Sequence, residues 1–173
     1  MTPSRMIPRG PTIDHVQVDA FRFPTPGPEA DGTLEWDATT AVTVRVHAGD
    51  ATGLGWTYSS PAAATVISSH FIPLLHGRAA HDVTAARAAM QAKSRNFGIG
   101  GLAMQAISAV DVALWDLKAT LLDVPLAVLF GVCRDSVPVY GSGGFVSSDD
   151  AELARDVAAW EAAGCRAMKI KIG

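Results

Sequence analysis

The chain has 173 residues, 49% of them hydrophobic, and a formal net charge of −3. This is ample apolar material for a packed core, and the absence of any basic cluster argues against nucleic acid as the main partner. Two cysteines without CxxC spacing, Cys133 and Cys165, argue against a disulfide framework. With neither a signal-peptide core nor an apolar run of about 18 residues, the expectation is a cytoplasmic protein that does not span a membrane.

In chain order, residues 1–12 read as a mobile N-terminus, and Ile13 to Phe23 reads as a strand with Val16, Val18 and Ala20 on one face. Residues 24–33 carry Pro24, Pro26, Pro28, Gly27 and Gly32, a density that predicts a loop, either a binding lid or a disordered surface insertion. Thr40 to His47 alternates with Val42, Val44 and Val46 on one side. Gly49-Asp50 then turns the chain into a return strand, 53–58, and the pair reads as a hairpin. Trp56 and Tyr58 share a face of that strand, which fits either a place in the core or a place over a ligand.

From Ser60 the hydrophobic period becomes helical. One helix is expected from Ser60-Pro61 to about Ile72, stopped by Pro73, and a second from Asp82 to Phe97, closed by Gly98. A third carries Ala103, Ile107, Val110, Leu114, Leu117 and Leu121 at spacings of three and four, and a short one follows Pro125 and stops at Gly131. Strands followed by helices predict an α+β domain, an antiparallel sheet with helices on one face. Beyond it, Val137 to Tyr140 reads as a strand and Gly141 to Ser147 as a loop. A helix opens with Asp149 and Glu152 in a capping-box pattern, and a strand ends in Lys169-Ile170-Lys171. This is the order of one βαβ unit.

The five histidines lack metal-ligand spacing and read as surface or structural residues. Ser142 lies between glycines but outside a GxSxG elbow, and the same loop lacks the spacing of a nucleotide cradle. Lys169 and Lys171 alternate with Met168, Ile170 and Ile172, so the last strand is cationic on one face and apolar on the other. On spacing alone such a pair is either solvated and edge-protecting or part of a site.

The segment Ala106-Ile-Ser-Ala-Val-Asp-Val-Ala-Leu-Trp-Asp-Leu-Lys-Ala119, followed by Pro125-Leu-Ala-Val-Leu-Phe-Gly131, resembles the signature of the mandelate racemase and muconate lactonizing branch of the enolase superfamily. Asp111, Asp116, Pro125, Leu129 and Gly131 fall where that signature expects them, whereas Thr120 stands where a basic or amide residue is usual. The resemblance implies that residues 13–131 are the α+β capping domain and that 132–173 begin a modified TIM barrel, apparently truncated. It implies two specificity loops, Pro24 to Asp37 and Leu54 to Ser60, with Trp36, Thr57 and Tyr58 as substrate-contact candidates. It also makes Lys169-Ile170-Lys171 the K-x-K motif of the second barrel strand, with Lys171 as the base that removes a proton α to a carboxylate and Lys169 as its electrostatic partner.

An ordinary lysine, with a pKa of about 10.4, is protonated near neutrality and cannot accept a proton; a second cation on the same face and partial burial both penalise its charged form. The resemblance further implies a Mg²⁺ cofactor whose carboxylate ligands lie downstream of this chain, so Asp111, Asp116, Asp149 and Asp150 are not expected to bind it. It implies a carboxylate or hydroxy-acid substrate, with acid-sugar dehydration or hydroxy-acid racemisation as the outcome and cycloisomerisation as the alternative within the family. Because a TIM barrel needs about 250 residues, the remainder of the barrel is an expected partner, as further sequence or a second chain. Homo-oligomers are also expected. The non-catalytic alternative is a capping or assembly module, inactive by itself.

Overall fold

The computed structural model describes residues 10–172. Three strands form a sheet in the order β1-β2-β3: β1 (His15–Ala30), β2 (Glu35–Ala48) and β3 (Ala51–Tyr58). β2 and β3 are antiparallel, with Val44 opposite Gly55 and Ala48 opposite Ala51, so Gly49 and Asp50 make a two-residue turn with Gly49 at φ 59°. Alternation sends Val42, Val44, Val46 and Ala48 to the buried face, where none is more than 1% exposed. Each such valine contributes roughly 1.5–3 kcal/mol by leaving water.

That buried face is covered by helices. The long one, α4 (Leu102–Leu121), buries Ala103, Ile107, Val110, Leu114 and Leu117 of the residues its period selects, with Leu121 half-buried at its end. β3 meets it without side chains between the two backbones. A Cβ on Gly53 would collide with the Ala113 carbonyl and the Leu117 amide, and one on Gly55 with the Ala109 carbonyl and the Ala113 amide. Since Gly53, Gly55 and Thr57 face the helix, Leu54, Trp56 and Tyr58 face outward and are 47%, 60% and 62% exposed; Trp56 and Tyr58 are not core residues. Asp116 of α4 reaches the strand as well, its Oδ2 accepting from the Leu54 amide at 2.8 Å. Thr120 is exposed and bonds back to the Asp116 carbonyl at 3.0 Å, as a surface replacement should.

Several elements differ from the sequence-based expectation. The segment expected to be a loop at 24–33 is strand as far as Ala30. Its prolines are compatible with this because Pro24, Pro26 and Pro28 sit at every second position and direct their missing N–H groups to one edge of an edge strand. Ala30 has the same parity, and its carbonyl turns away from β2 to accept from Val146 at 3.0 Å, whereas the Asp31 amide points across the hairpin to the Leu34 carbonyl at 3.0 Å.

The helix after Pro61 does not stop at Pro73. It runs as α1 (Ala62–Val66), a π turn (Ile67–Phe71) and α2 (Ile72–Leu75). Pro73 cannot donate to the carbonyl four residues back, and widening of the preceding turn accommodates the missing bond. The next helix, α3 (Val83–Lys93), tightens into a 3₁₀ turn (Ser94–Asn96) before Gly98 at φ 96°. α4 is followed by Asp123 at φ 53°, and α5 (Leu126–Phe130) stops at Gly131, φ 87°. Of the N-terminus expected to be mobile, residues 1–9 lie outside the described residues. Pro11 and Thr12 are tied down, Pro11 accepting from Ala80 at 2.9 Å and Thr12 bridging to Ala79.

The chain divides into two compact units. One comprises the residues up to Phe21 with Thr40–Gly131, and the other comprises Arg22–Thr39 with Val132 onward, so the outer part of the β1–β2 hairpin groups with the C-terminal segment. In that segment the strand expected at Val137 to Tyr140 is displaced to β4 (Gly141–Ser142). Pro138 lacks a ladder donor, and Val137, Val139 and Tyr140 are 66%, 66% and 57% exposed. After β4 come α6 (Asp150–Ala162) and β5 (Met168–Lys169), which pairs parallel to β4.

Two predictions follow from the first unit. Gly55→Ala should destabilise the chain by about 1–3 kcal/mol, because the new methyl forces β3 away from α4; urea denaturation should show this loss, and an unchanged midpoint would contradict the backbone contact. The second concerns Asp111, whose burial pushes its carboxyl above the usual range while Arg87, 3.8 Å away, pulls it partly back. With the folded pKa raised, the folded chain holds the proton more tightly than the unfolded one, so stability falls as pH rises through that window. Asp111→Asn should therefore raise Tm at neutral pH, and the gain should shrink as the pH approaches about 3.9; thermal melts across pH check both.

Candidate active site at the end of β5

β4 and β5 continue as a bonded ladder past their short formal limits. The Gly141 amide donates to the Ala167 carbonyl at 3.0 Å, Gly143 to Lys169 at 3.2 Å, and Lys171 to Gly144 at 2.9 Å. The glycines expected to form a loop are what let α6 lie on this ladder. Trp160 occupies the space where side chains on Gly141 and Gly143 would stand, and a Cβ on Gly144 would meet Ile170 at 2.8 Å and Leu153 at 2.9 Å. Ile170 thus belongs to the face turned toward α6, and alternation gives Lys169 and Lys171 to the other. The helix starts where the sequence indicated: Asp149 Oδ1 accepts from the Glu152 amide at 2.7 Å, and Glu152 Oε2 accepts from the Asp149 amide at 3.2 Å.

Beside this ladder sits the tip of the β1–β2 hairpin. Its turn is organised by Asp31, whose Oδ1 accepts from the Thr33 amide at 2.7 Å, the Thr33 hydroxyl at 2.7 Å and the Leu34 amide at 2.9 Å. The Ala30 to Val146 bond tethers the tip. Trp36 packs edge-on against Phe145 with ring centroids 5.6 Å apart, and its indole N–H donates to Glu29 Oε2 at 2.8 Å. A cleft of about 410 Å³ runs along Pro26 to Glu29, Ser147, Ser148 and the Glu152, Arg155 and Asp156 side of α6.

The electrostatics single out Lys171. A hydrogen bond with the Lys169 side chain, then burial, then the positive charge of Lys169 all hold its pKa below the ordinary lysine value, while the Asp31 carboxylate acts in the opposite sense. Asp31 in turn is held below the usual carboxylate range, first by its bond with the Thr33 hydroxyl, then by the Thr33 and Leu34 amides, with Lys171 adding to the effect. An amine whose charged form is disfavoured is a better proton acceptor near neutrality than a solvated lysine.

Of the five candidate residues, Lys169, Lys171 and Trp36 fall in this second unit, and Trp36 is engaged with Glu29 and Phe145. Thr57 and Tyr58 end β3 in the first unit, where Tyr58 is exposed and Thr57 partly so. Asp31 and Phe145 were not singled out from sequence. Asp31-Gly32-Thr33 carries an Asx-turn signal, an Asp followed two residues on by Thr, whereas nothing local marks Phe145. Among the described residues no group of three or more His, Cys, Asp or Glu could hold a metal ion, and no helix is long and apolar enough to cross a membrane.

Residues 18–131 match the family model described as mandelate racemase / muconate lactonizing enzyme, N-terminal domain. The 3,6-anhydro-alpha-L-galactonate cycloisomerase of Streptomyces coelicolor is 36% identical over 93% of this chain and 46% of its own length. A mandelate racemase/muconate lactonizing enzyme-like protein from Rubrobacter xylanophilus superposes with a TM-score of 0.91 at 43% identity, over 94% of this chain and 45% of that one. The L-talarate/galactarate dehydratase of Salmonella typhimurium, in a structure liganded with Mg and L-lyxarohydroxamate, superposes with a TM-score of 0.85 at 28% identity, over 99% of this chain and 47% of that one. The chain therefore spans about half the length of these relatives, which include a cycloisomerase and an acid-sugar dehydratase. With the signature helix, the three-stranded sheet and the matched domain in agreement, the chain belongs to the mandelate racemase / muconate lactonizing enzyme family.

Proposed function

We propose that the protein, at the full length of its relatives, removes the α-proton of a carboxylate substrate to give an enediolate, with Lys171 as the base and Lys169 as its electrostatic partner. The observation that carries this reading is the placement of Lys169 and Lys171 on one face of the strand bonded parallel to β4, where the neighbouring lysine acts to lower the pKa of Lys171. Residues 132–172 are then the first βαβ unit of a TIM-type barrel, a reading supported by the parallel pairing of β4 and β5 around α6. Catalytic groups of such barrels lie at the C-terminal ends of strands, which is where Lys171 follows β5.

The neutral amine of Lys171 accepts the proton and becomes an ammonium. The positive charge of Lys169 favours the neutral form of its neighbour before the transfer. Its fixed cation is also suited to a substrate carboxylate. Among the described residues no group of three or more His, Cys, Asp or Glu could hold a metal ion; the Mg²⁺ with which the S. typhimurium dehydratase structure is liganded is, by analogy, proposed for carboxylates elsewhere in the full-length protein. Acid-sugar dehydration or hydroxy-acid racemisation is the preferred outcome. Cycloisomerisation is the second reading, favoured by the extent of the match to the S. coelicolor enzyme. Trp36, Thr57 and Tyr58 remain the proposed substrate contacts, and this chain without the rest of the barrel is expected to show no turnover.

The test is deuterium exchange at the α-carbon in D₂O, using the full-length protein with Mg²⁺ and a panel of sugar acids and hydroxy acids. Lys171→Ala should reduce exchange by about 10²–10⁴-fold, the usual contribution of a positioned base. Exchange that persists at the wild-type rate in this variant would remove Lys171 from the role. Absence of exchange across the panel by folded, metal-loaded protein would remove the reaction class.

A further inference from the structure

The tip of the β1–β2 hairpin places a carboxylate beside the lysine pair, and the way that carboxylate is bonded decides what it can do. All three turn bonds of Asp31, from the Thr33 amide, the Thr33 hydroxyl and the Leu34 amide, end on Oδ1. Oδ2 takes part in none of them. A carboxylate held through one oxygen keeps its position and its full charge while the other oxygen stays uncommitted.

The tip itself is fixed to the lysine ladder by two linked backbone bonds: Val146 donates to Ala30 at 3.0 Å, and two residues earlier Gly144 accepts from Lys171 at 2.9 Å. Trp36 on Phe145, between those two positions in sequence, closes the same contact from the other strand of the hairpin. The neighbour that follows Ala30 is Asp31, which is how its charge comes within range of Lys171.

We propose that Asp31 is a positioning residue for Lys171: anchored to its own turn through Oδ1, it supplies a counter-charge that opposes Lys169 and sets the balance between amine and ammonium at the base. The proposal rests on the reading of Lys171 as the base. Among the described residues, the charged groups that act on Lys171 are Lys169 on its own strand and Asp31 on the hairpin; the ladder partner, Gly141 to Gly144, has no titratable side chain.

A proton-abstracting lysine must be neutral before transfer and tolerate the charge afterwards. Lys169 serves the first requirement and Asp31 the second. Because Asp31 travels with the hairpin, seating of the tip and protonation of Lys171 are coupled. A tip that lifts removes the counter-charge and lowers the affinity of Lys171 for its proton.

The experiment reads charge directly, on the chain as it is. Acetylation of Lys171 by acetic anhydride is followed against pH and quantified by fragment-ion mass spectrometry, in wild type and in Asp31→Asn, which keeps an Oδ1 acceptor for the turn. The Asp31→Asn midpoint should move to lower pH, with roughly threefold more labelling at a fixed pH below the midpoint, equivalent to about half a pKa unit. Asp31→Glu, which restores the charge, should return it toward wild type.

Linkage requires the reciprocal effect, so in Lys171→Met the Asp31 carboxyl should titrate at higher pH by NMR. An unmoved Lys171 midpoint in Asp31→Asn, with the Trp36 indole signal at its wild-type position, overturns the proposal. If that signal moves, the Lys171→Met titration decides, and an unmoved Asp31 there overturns it equally. Neither readout depends on turnover. A full-length protein that shows these shifts yet exchanges no α-protons would overturn the assigned reaction and leave the charge pairing standing.

Discussion

The first unit depends on a contact between two backbones. β3 lies against α4 because Gly53 and Gly55 offer no side chain toward a helix that answers with Ala109 and Ala113. Tight approach of this kind increases the number of near-optimal dispersion contacts along the whole seam, each worth only ~0.1–0.2 kcal/mol but numerous. It also fixes the phase of the strand. With the odd-numbered residues from 53 to 57 turned inward, Leu54, Trp56 and Tyr58 have to face out, and the Leu54 amide is left at the open edge of the sheet. Asp116 takes up that amide. An acid on the signature helix is thus accounted for by an edge that would otherwise present an unpaired donor.

The hairpin of β1 and β2 solves a different problem, that of holding an outer strand in place without inviting another strand to pair with it. Three prolines on one parity close the outer edge of β1 to further pairing. At Ala30, where the prolines end, the same edge is used for a single bond to Val146. An exposed pair on the hairpin, Arg22 and Asp37 at 2.8 Å, adds little, since both side chains are more than 60% exposed. Geometry and turn chemistry, more than surface charge, hold the tip where it is.

Much of this could be read from the residues. The period of α4 named its buried face, the valines of β2 named theirs, and Asp149 with Glu152 announced the start of α6. The misreadings share a cause, which is that composition is ambiguous until a neighbour is known. Prolines at 24, 26 and 28 read as a loop because the open edge they line is a property of the sheet. Glycines at 141, 143 and 144 read as a loop for a similar reason, although they are the positions on which Trp160, Ile170 and Leu153 pack. The π turn before Pro73 follows from a missing donor whose compensation no local pattern specifies. In the candidate site the lysines were visible as a pattern, and Trp36 through the specificity loop that the family resemblance implied. Asp31 was not, since its relevance comes from a tether more than a hundred residues away in sequence.

A lysine pair on a strand is ordinarily explained by solvation or by protection of an edge, and the structure bears on both explanations. The amide of Lys171 is bonded to Gly144, so the backbone there is not an open edge on that side. The two side chains also do not behave as independent solvated charges, because the hydrogen bond with Lys169 is the largest influence on Lys171. The neighbouring charge therefore favours the neutral form of Lys171, which is the state a base must occupy before it acts. What that base then leads to, dehydration, racemisation or ring isomerisation, is a matter of which group delivers or removes the next proton, and the lysine pair is compatible with each.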